Sequence, residues 1–285
     1  MTPNLVTTQW VAEAIVQQKS LKLLDASWYL PTMNRDARQE FHTHRVPGAG
    51  FFDIDQVSDT TSPYPHMLPP AAAFCEVLSN LGIRPDDHVV IYDGAGIFSA
   101  PRLWWTFKAM GHAAVSVMDG GLPKWMREKH PLEIGAAALP LPTNYATSQN
   151  TQWVRSRNDV LENLKTGAEL VMDARPAPRF SGAVAEPRPG LAKGHIPDSI
   201  NLPFAKCLTP EGAYHSLDKL NSLFTDLDVP KDQPLITSCG SGITAAIILL
   251  ALSLTGREDI SLYDGSWAEW GSIDSLPVEQ SENAS

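Results

Sequence analysis

The sequence predicts an α/β protein built from two tandem copies of one domain, each a mostly parallel sheet flanked by helices. Three observations predict it. Matched segments recur in the two halves in one order at a nearly constant spacing. Within each half, short apolar runs alternate with longer helical stretches, the pattern of strands and crossover helices. A chain of 285 residues also has room for about two domains of ordinary size.

The repeat sets the order of the elements. Leu23-Leu24-Asp25-Ala26 matches Val171-Met172-Asp173-Ala174, and Val46-Pro47-Gly48-Ala49 resembles Ile196-Pro197-Asp198-Ser199. Val89-Val90-Ile91-Tyr92-Asp93-Gly94-Ala95-Gly96-Ile97 matches Leu235-Ile236-Thr237-Ser238-Cys239-Gly240-Ser241-Gly242-Ile243, 146 residues on. Asp119-Gly120-Gly121-Leu122-Pro123-Lys124-Trp125 then matches Asp264-Gly265-Ser266-Trp267-Ala268-Glu269-Trp270, 145 residues on. Residues 89–92, 115–118, 170–172, 235–237 and 260–263 are apolar and short enough for buried strands. Residues 101–110 and 244–254 read as helices. The stretch 135–150, rich in Ala, Pro, Thr and Asn and without a charge, suits an exposed connection. The first copy is therefore taken as residues 1–140 and the second as residues 141–285.

Composition narrows the classes of function. Hydrophobic residues make up 43% of the chain and charged residues 19%, which excludes a wholly disordered protein. The net charge of −10 and the lack of a Lys/Arg run argue against a nucleic-acid or anionic-membrane partner. The N-terminal residues lack a basic start and an apolar core, and the longest apolar run, 245–252, is too short to span a bilayer. A soluble cytoplasmic protein is expected. Three scattered cysteines, Cys75, Cys207 and Cys239, cannot build a disulfide framework or a thiolate metal cage, so a reducing compartment and no metal are expected.

Cys239 opens a loop, Cys239-Gly240-Ser241-Gly242-Ile243-Thr244, between a strand and an apolar helix. In such a sheet, ligand sites lie beyond the carboxyl ends of the strands. Two glycines let the backbone curl and turn several N–H groups inward, and the helix N-terminus adds partial positive charge. A thiol there is expected to serve as a thiolate nucleophile. The ordinary alternative is an inert buried cysteine, which is the expectation for Cys75 and Cys207. The first copy carries Asp93 at the equivalent position, and a carboxylate cannot do the thiolate's work, so only the second copy is expected to be catalytic. The loop carries no Arg to clamp a phosphate dianion, which disfavours a cysteine phosphatase. Its neutral interior also gives a dianion such as thiosulfate no cation to bind.

The duplicated layout, the Cys239–Thr244 loop and the Asp264-Gly265-Ser266-Trp267 turn resemble the rhodanese superfamily of tandem sulfurtransferases. The similarity runs from about Trp10 to Trp270. Within the superfamily the neutral Cys-Gly-Ser-Gly loop resembles the 3-mercaptopyruvate sulfurtransferases, whereas the thiosulfate-using members typically carry basic residues there. The resemblance implies two rhodanese-like domains and sulfur transfer through a Cys239 persulfide, with pyruvate released and no cofactor. It implies a small thiol, a thioredoxin-like dithiol or cyanide as acceptor. It places substrate-binding arginines at Arg179 and Arg188, whose forked donors suit a carboxylate and a keto oxygen. The N–H groups of Gly240, Gly242, Ile243 and Thr244 would hold the outer sulfur. It also implies a serine-protease-like relay of Asp55, His66 and Ser241. The residues alone leave open whether positions 55 and 66 reach the loop; a satisfied polar His66 in a Pro-rich segment and a turn residue at Asp55 are the alternatives. Two departures stand out: Arg45 where relatives often have His, and Pro65 where some have an acid. A thiosulfate:cyanide sulfurtransferase and a non-catalytic binding module are the competing functions.

Overall fold

The computed structural model describes residues 2–17 and 19–281. By internal contacts the chain divides into two units. The first comprises Met1–Thr60, Leu68–Asn150 and Leu208–Tyr214; the second comprises Thr61–Met67, Thr151–Cys207 and His215–Ser285.

In the first unit the elements run β1 (Leu5–Val6), α1 (Thr8–Val16), β2 (Leu21–Asp25), α2 (Ala37–Thr43), β3 (Gly50–Phe51), α3 (Ile54–Val57), α4 (Ala71–Asn80), β4 (His88–Tyr92), α5 (Ala100–Ala109), β5 (Val115–Met118) and α6 (Gly121–Arg127). The five strands form one sheet in the order β1-β5-β4-β2-β3. Every pair is parallel, with Leu21 opposite His88 and Asp25 opposite Tyr92 in the central pair. β4 and β5 are apolar along nearly their whole length because both faces of the sheet are covered. Val90, Tyr92, Met118 and Trp125 lie in its core.

The second unit repeats the plan. It runs β6 (Val154–Arg155), α7 (Arg157–Thr166), β7 (Leu170–Asp173), α8 (Ala177–Phe180), β8 (Ile200–Asn201), α9 (Leu217–Asp226), β9 (Leu235–Ser238), α10 (Ala245–Leu254), β10 (Ile260–Tyr263) and α11 (Ser266–Trp270). Its sheet is again five-stranded and parallel, in the matching order β6-β10-β9-β7-β8. α10 is buried from Ala245 to Leu252, as a helix apolar on all sides requires, and packs on β9 and β10. α7 starts with a capping box between Ser156 and Asp159. Identical strand order in both halves makes this an α/β fold of two parallel sheets, as the repeat predicts.

The stretch 135–150 has no helix or strand, yet it is not loose. Tyr145 is buried with its hydroxyl 2.9 Å from His112 Nδ1. Thr143 N–H donates to Ser79 O, and Asn150 N–H to Ala109 O. Arg45 is fully buried and paired with Glu133, while the matching His195 bonds Phe180 O through Nδ1 and backbone-pairs with Glu279. Among the described residues no helix is long and apolar enough to cross a membrane.

Candidate active site

Two loops leave equivalent strand ends, one per unit. In the second, Cys239 follows β9 and the chain curls through Gly242, at φ +77°, into α10. α11 braces it from behind. Cys239 N–H donates to Ser266 Oγ at 3.2 Å, Cys239 O accepts from Trp267 N–H at 2.9 Å, and Gly240 O accepts from Ala268 N–H at 2.9 Å. Ser266 holds a left-handed φ of 49° and donates its hydroxyl to Tyr263 O, which fixes the oxygen that Cys239 N–H meets. The thiol is 1% exposed.

His66 comes to this loop. It belongs to the second unit through Thr61–Met67, although it lies in the first half of the chain. Its Nδ1 is 3.1 Å from Ser241 Oγ and 3.4 Å from Ser241 O. The backbone at His66 is left-handed, φ +62°, an unfavourable conformation for a side chain with a Cβ; such strain gathers at functional sites. Asp55 lies in α3 of the first unit, where its Oδ2 accepts from Trp28 Nε1 at 2.9 Å.

Arg179 sits in α8, a helix of four residues. Its Nη2 would lie 3.1 Å from a Cβ built on Gly240, so the guanidinium rests against the sulfur loop. It is not a bare cation: Nε and Nη2 pair with Glu186, whose side chain is 3% exposed. Arg188 is half-buried. Glu186, Arg175 and Ser266 were not singled out as site residues from the sequence. Glu186 in the Glu186-Pro187-Arg188 motif carried the one available signal, an acid two residues from a candidate arginine.

The other thiols differ. Cys207 is fully buried and burial pushes it up to about 12, which keeps it protonated and inert. Cys75 lies on α4 and is half-buried. Among the described residues no group of three or more His, Cys, Asp or Glu could hold a metal ion.

The first unit's loop is filled by its own side chain. Asp93 Oδ2 accepts the N–H groups of Phe98, Ser99 and Ala100 at 2.8–2.9 Å, and Oδ1 accepts Ala95 N–H at 2.9 Å. Asp93 O accepts Leu122 N–H, as Cys239 O accepts Trp267 N–H. Burial raises Asp93, opposed by those four donors. At the repeat spacing of 146, the equivalent N–H groups around Cys239 belong to Ser241, Thr244, Ala245 and Ala246.

Comparison with known proteins follows the same division. The rhodanese-like domain family matches residues 7–128 and again 156–273. The 3-mercaptopyruvate sulfurtransferase of Rattus norvegicus is 46% identical over 271 residues, 93% of this chain and 91% of that one. The thiosulfate sulfurtransferase of the same organism is 45% identical over 272 residues, with the same coverage. The crystal structure of SseA from Escherichia coli, described as a 3-mercaptopyruvate sulfotransferase, superposes with a TM-score of 0.84 at 39% identity, covering 93% of this chain and 99% of that one.

Proposed function

The chain belongs to the rhodanese-like family, and on that premise we propose that it is a 3-mercaptopyruvate sulfurtransferase working through Cys239. The observation that carries the proposal is the pair of equivalent loops. One copy holds a carboxylate on four inward N–H groups, so the loop is built to hold an anion; the other copy presents a thiol at that position.

In the proposed reaction the Cys239 thiolate attacks the sulfur of 3-mercaptopyruvate. The S–S bond forms as the C–S bond breaks, and the electron pair moves onto the substrate carbon and its carbonyl as an enolate. Arg179 and Arg188 bind the carboxylate and the developing enolate oxygen. A proton then reaches carbon through Ser241 and His66, with Asp55 as the third member of the relay, and pyruvate leaves. The persulfide on Cys239 is held by inward N–H groups of the loop from Gly240 through Gly242 and Ile243 to Thr244 and of the start of α10 at Ala245 and Ala246, which follow the donors that hold Asp93 in the first copy. A thiol, a thioredoxin-like dithiol or cyanide removes the outer sulfur. The 3.1 Å approach of His66 to Ser241 supports the relay. The chemistry needs no metal or organic cofactor. Three free cysteines suit a reducing cytoplasm.

Thiosulfate is the second donor to consider, given the relative that uses it by name. The uncharged interior of the Cys239 loop favours the monocarboxylate over that dianion. Initial rates with each donor, cyanide as acceptor, test the reading. Double displacement predicts parallel double-reciprocal lines and a preference for mercaptopyruvate; intersecting lines, or thiosulfate as the better donor, would contradict it.

A further inference from the structure

Glu186, to which the reaction above gives no task, stands at the centre of a charge cluster. Its carboxylate accepts from Arg175 Nη1 at 2.7 Å and from Arg179 Nε at 3.1 and 3.2 Å, besides its pairing with Arg179 Nη2. Arg175 is 1% exposed, forked onto Asp173 at 2.6 and 2.9 Å, and lies 4.3 Å over the Trp267 ring. Arg175 is therefore fixed, and Glu186 is fixed by it. Asp173, Arg175, Glu186 and Arg179 carry two positive and two negative charges in one connected chain. The guanidinium against Gly240 thus reaches the sulfur loop already neutralised. Among the described residues no carboxylate pairs with Arg188.

We infer that Glu186 is a positioning residue that sets donor specificity: it orients Arg179 over the Cys239 loop while cancelling its charge, which matches the site to a monocarboxylate donor and against a dianionic one such as thiosulfate. The inference rests on the sulfurtransferase reading. Its physics is elementary. Attraction scales with the product of the charges, so one extra positive charge beside the loop favours a dianion over a monoanion by a further charge pair. Arg179 keeps its forked donors for the carboxylate, and Glu186 withholds its net charge.

The test is kcat/KM for thiosulfate relative to mercaptopyruvate in Glu186→Gln and Glu186→Asp, with cyanide as acceptor and fold checked by thermal denaturation. Glu186→Gln is expected to raise that ratio about tenfold, chiefly through a lower KM for thiosulfate. Glu186→Asp keeps the charge and is expected to stay within about twofold of the parent. A merely structural role would lower both donors together. Should Glu186→Gln fail to fold, competition on the unaltered protein decides: sulfate is expected to displace mercaptopyruvate no better than acetate at equal ionic strength, and a clear sulfate preference overturns the inference. A parent protein that takes sulfur from neither donor defeats the sulfurtransferase reading and this inference with it. A parent that uses mercaptopyruvate, with the ratio unmoved in Glu186→Gln, overturns the inference alone.

Discussion

The two loops that follow β4 and β9 share backbone plan, flanking glycines and bracing helix, and differ in what fills the centre. Around Asp93 the loop is closed on itself: four N–H donors are spent on an internal carboxylate, and the site is finished as structure. Around Cys239 the same plan carries a side chain that is too short and too weak an acceptor to occupy the donors in that way. The surroundings differ accordingly. The Tyr29 hydroxyl closes over Gly94 so tightly that a Cβ there would collide with it, whereas Gly240 is met by the Arg179 guanidinium. At the ends of β2 and β7 the contrast continues: Asp173 is forked by Arg175, while the Asp25 carboxyl is met by Ser27 N–H, the Ser27 hydroxyl and the Tyr92 hydroxyl. The duplicated domain thus carries one cradle closed by its own carboxylate and one that presents a thiol at the same place.

The largest expected break in this comparison comes from Cys239→Ser. Sulfur transfer from mercaptopyruvate should fall by at least about 10³-fold, because an un-ionised hydroxyl is a poor nucleophile for sulfur; unaltered thermal unfolding should show the fold intact, and substantial residual turnover would remove the nucleophile assignment. Asp93→Ala has the opposite profile. It leaves four N–H groups, two buried and two part-buried, without their acceptor, at a cost of about 4 kcal/mol in stability by denaturant titration, while transfer from mercaptopyruvate stays within about threefold.

Asp25 sharpens the comparison through pH. Burial raises it to about 6, partly offset by its Ser27 bonds, with the Asp93 carboxylate pushing the same way as burial. A carboxyl raised in the folded state binds more protons there than when unfolded. Its ionisation therefore penalises the fold above about pH 6, and the penalty is relieved as pH falls toward 4. The stability of Asp25→Asn relative to the parent should grow by up to about 3 kcal/mol between pH 4 and 7.5; a flat difference across that range would show the group ionised without cost. His66→Ala is expected to give the smallest change, a decrease of about tenfold in single-turnover persulfide formation, since the ring touches Ser241 and water can replace part of its proton transfer. An unchanged rate would dismiss the relay.

Much of this is legible in the sequence. The repeat reported the duplicated α/β sheets, and the glycine spacing after Cys239 reported a curled loop at a strand end. Two-residue strands such as Gly50–Phe51 and Ile200–Asn201 were not legible, because two residues carry no periodicity. Family resemblance pointed to His66, but its contact with Ser241 spans 175 residues and depends on Thr61–Met67 belonging to the second unit, which no local pattern encodes. Glu186 and Arg175 were hidden for a related reason: an ion-pair chain is a property of packed side chains, and no spacing in the sequence reports it.

The most direct test of the central claim is the intact mass of the protein after brief exposure to 3-mercaptopyruvate without an acceptor. The account predicts a gain of one sulfur atom, lost again on adding cyanide and absent in Cys239→Ser. A mass that does not change, or a gain that persists in Cys239→Ser, would contradict it.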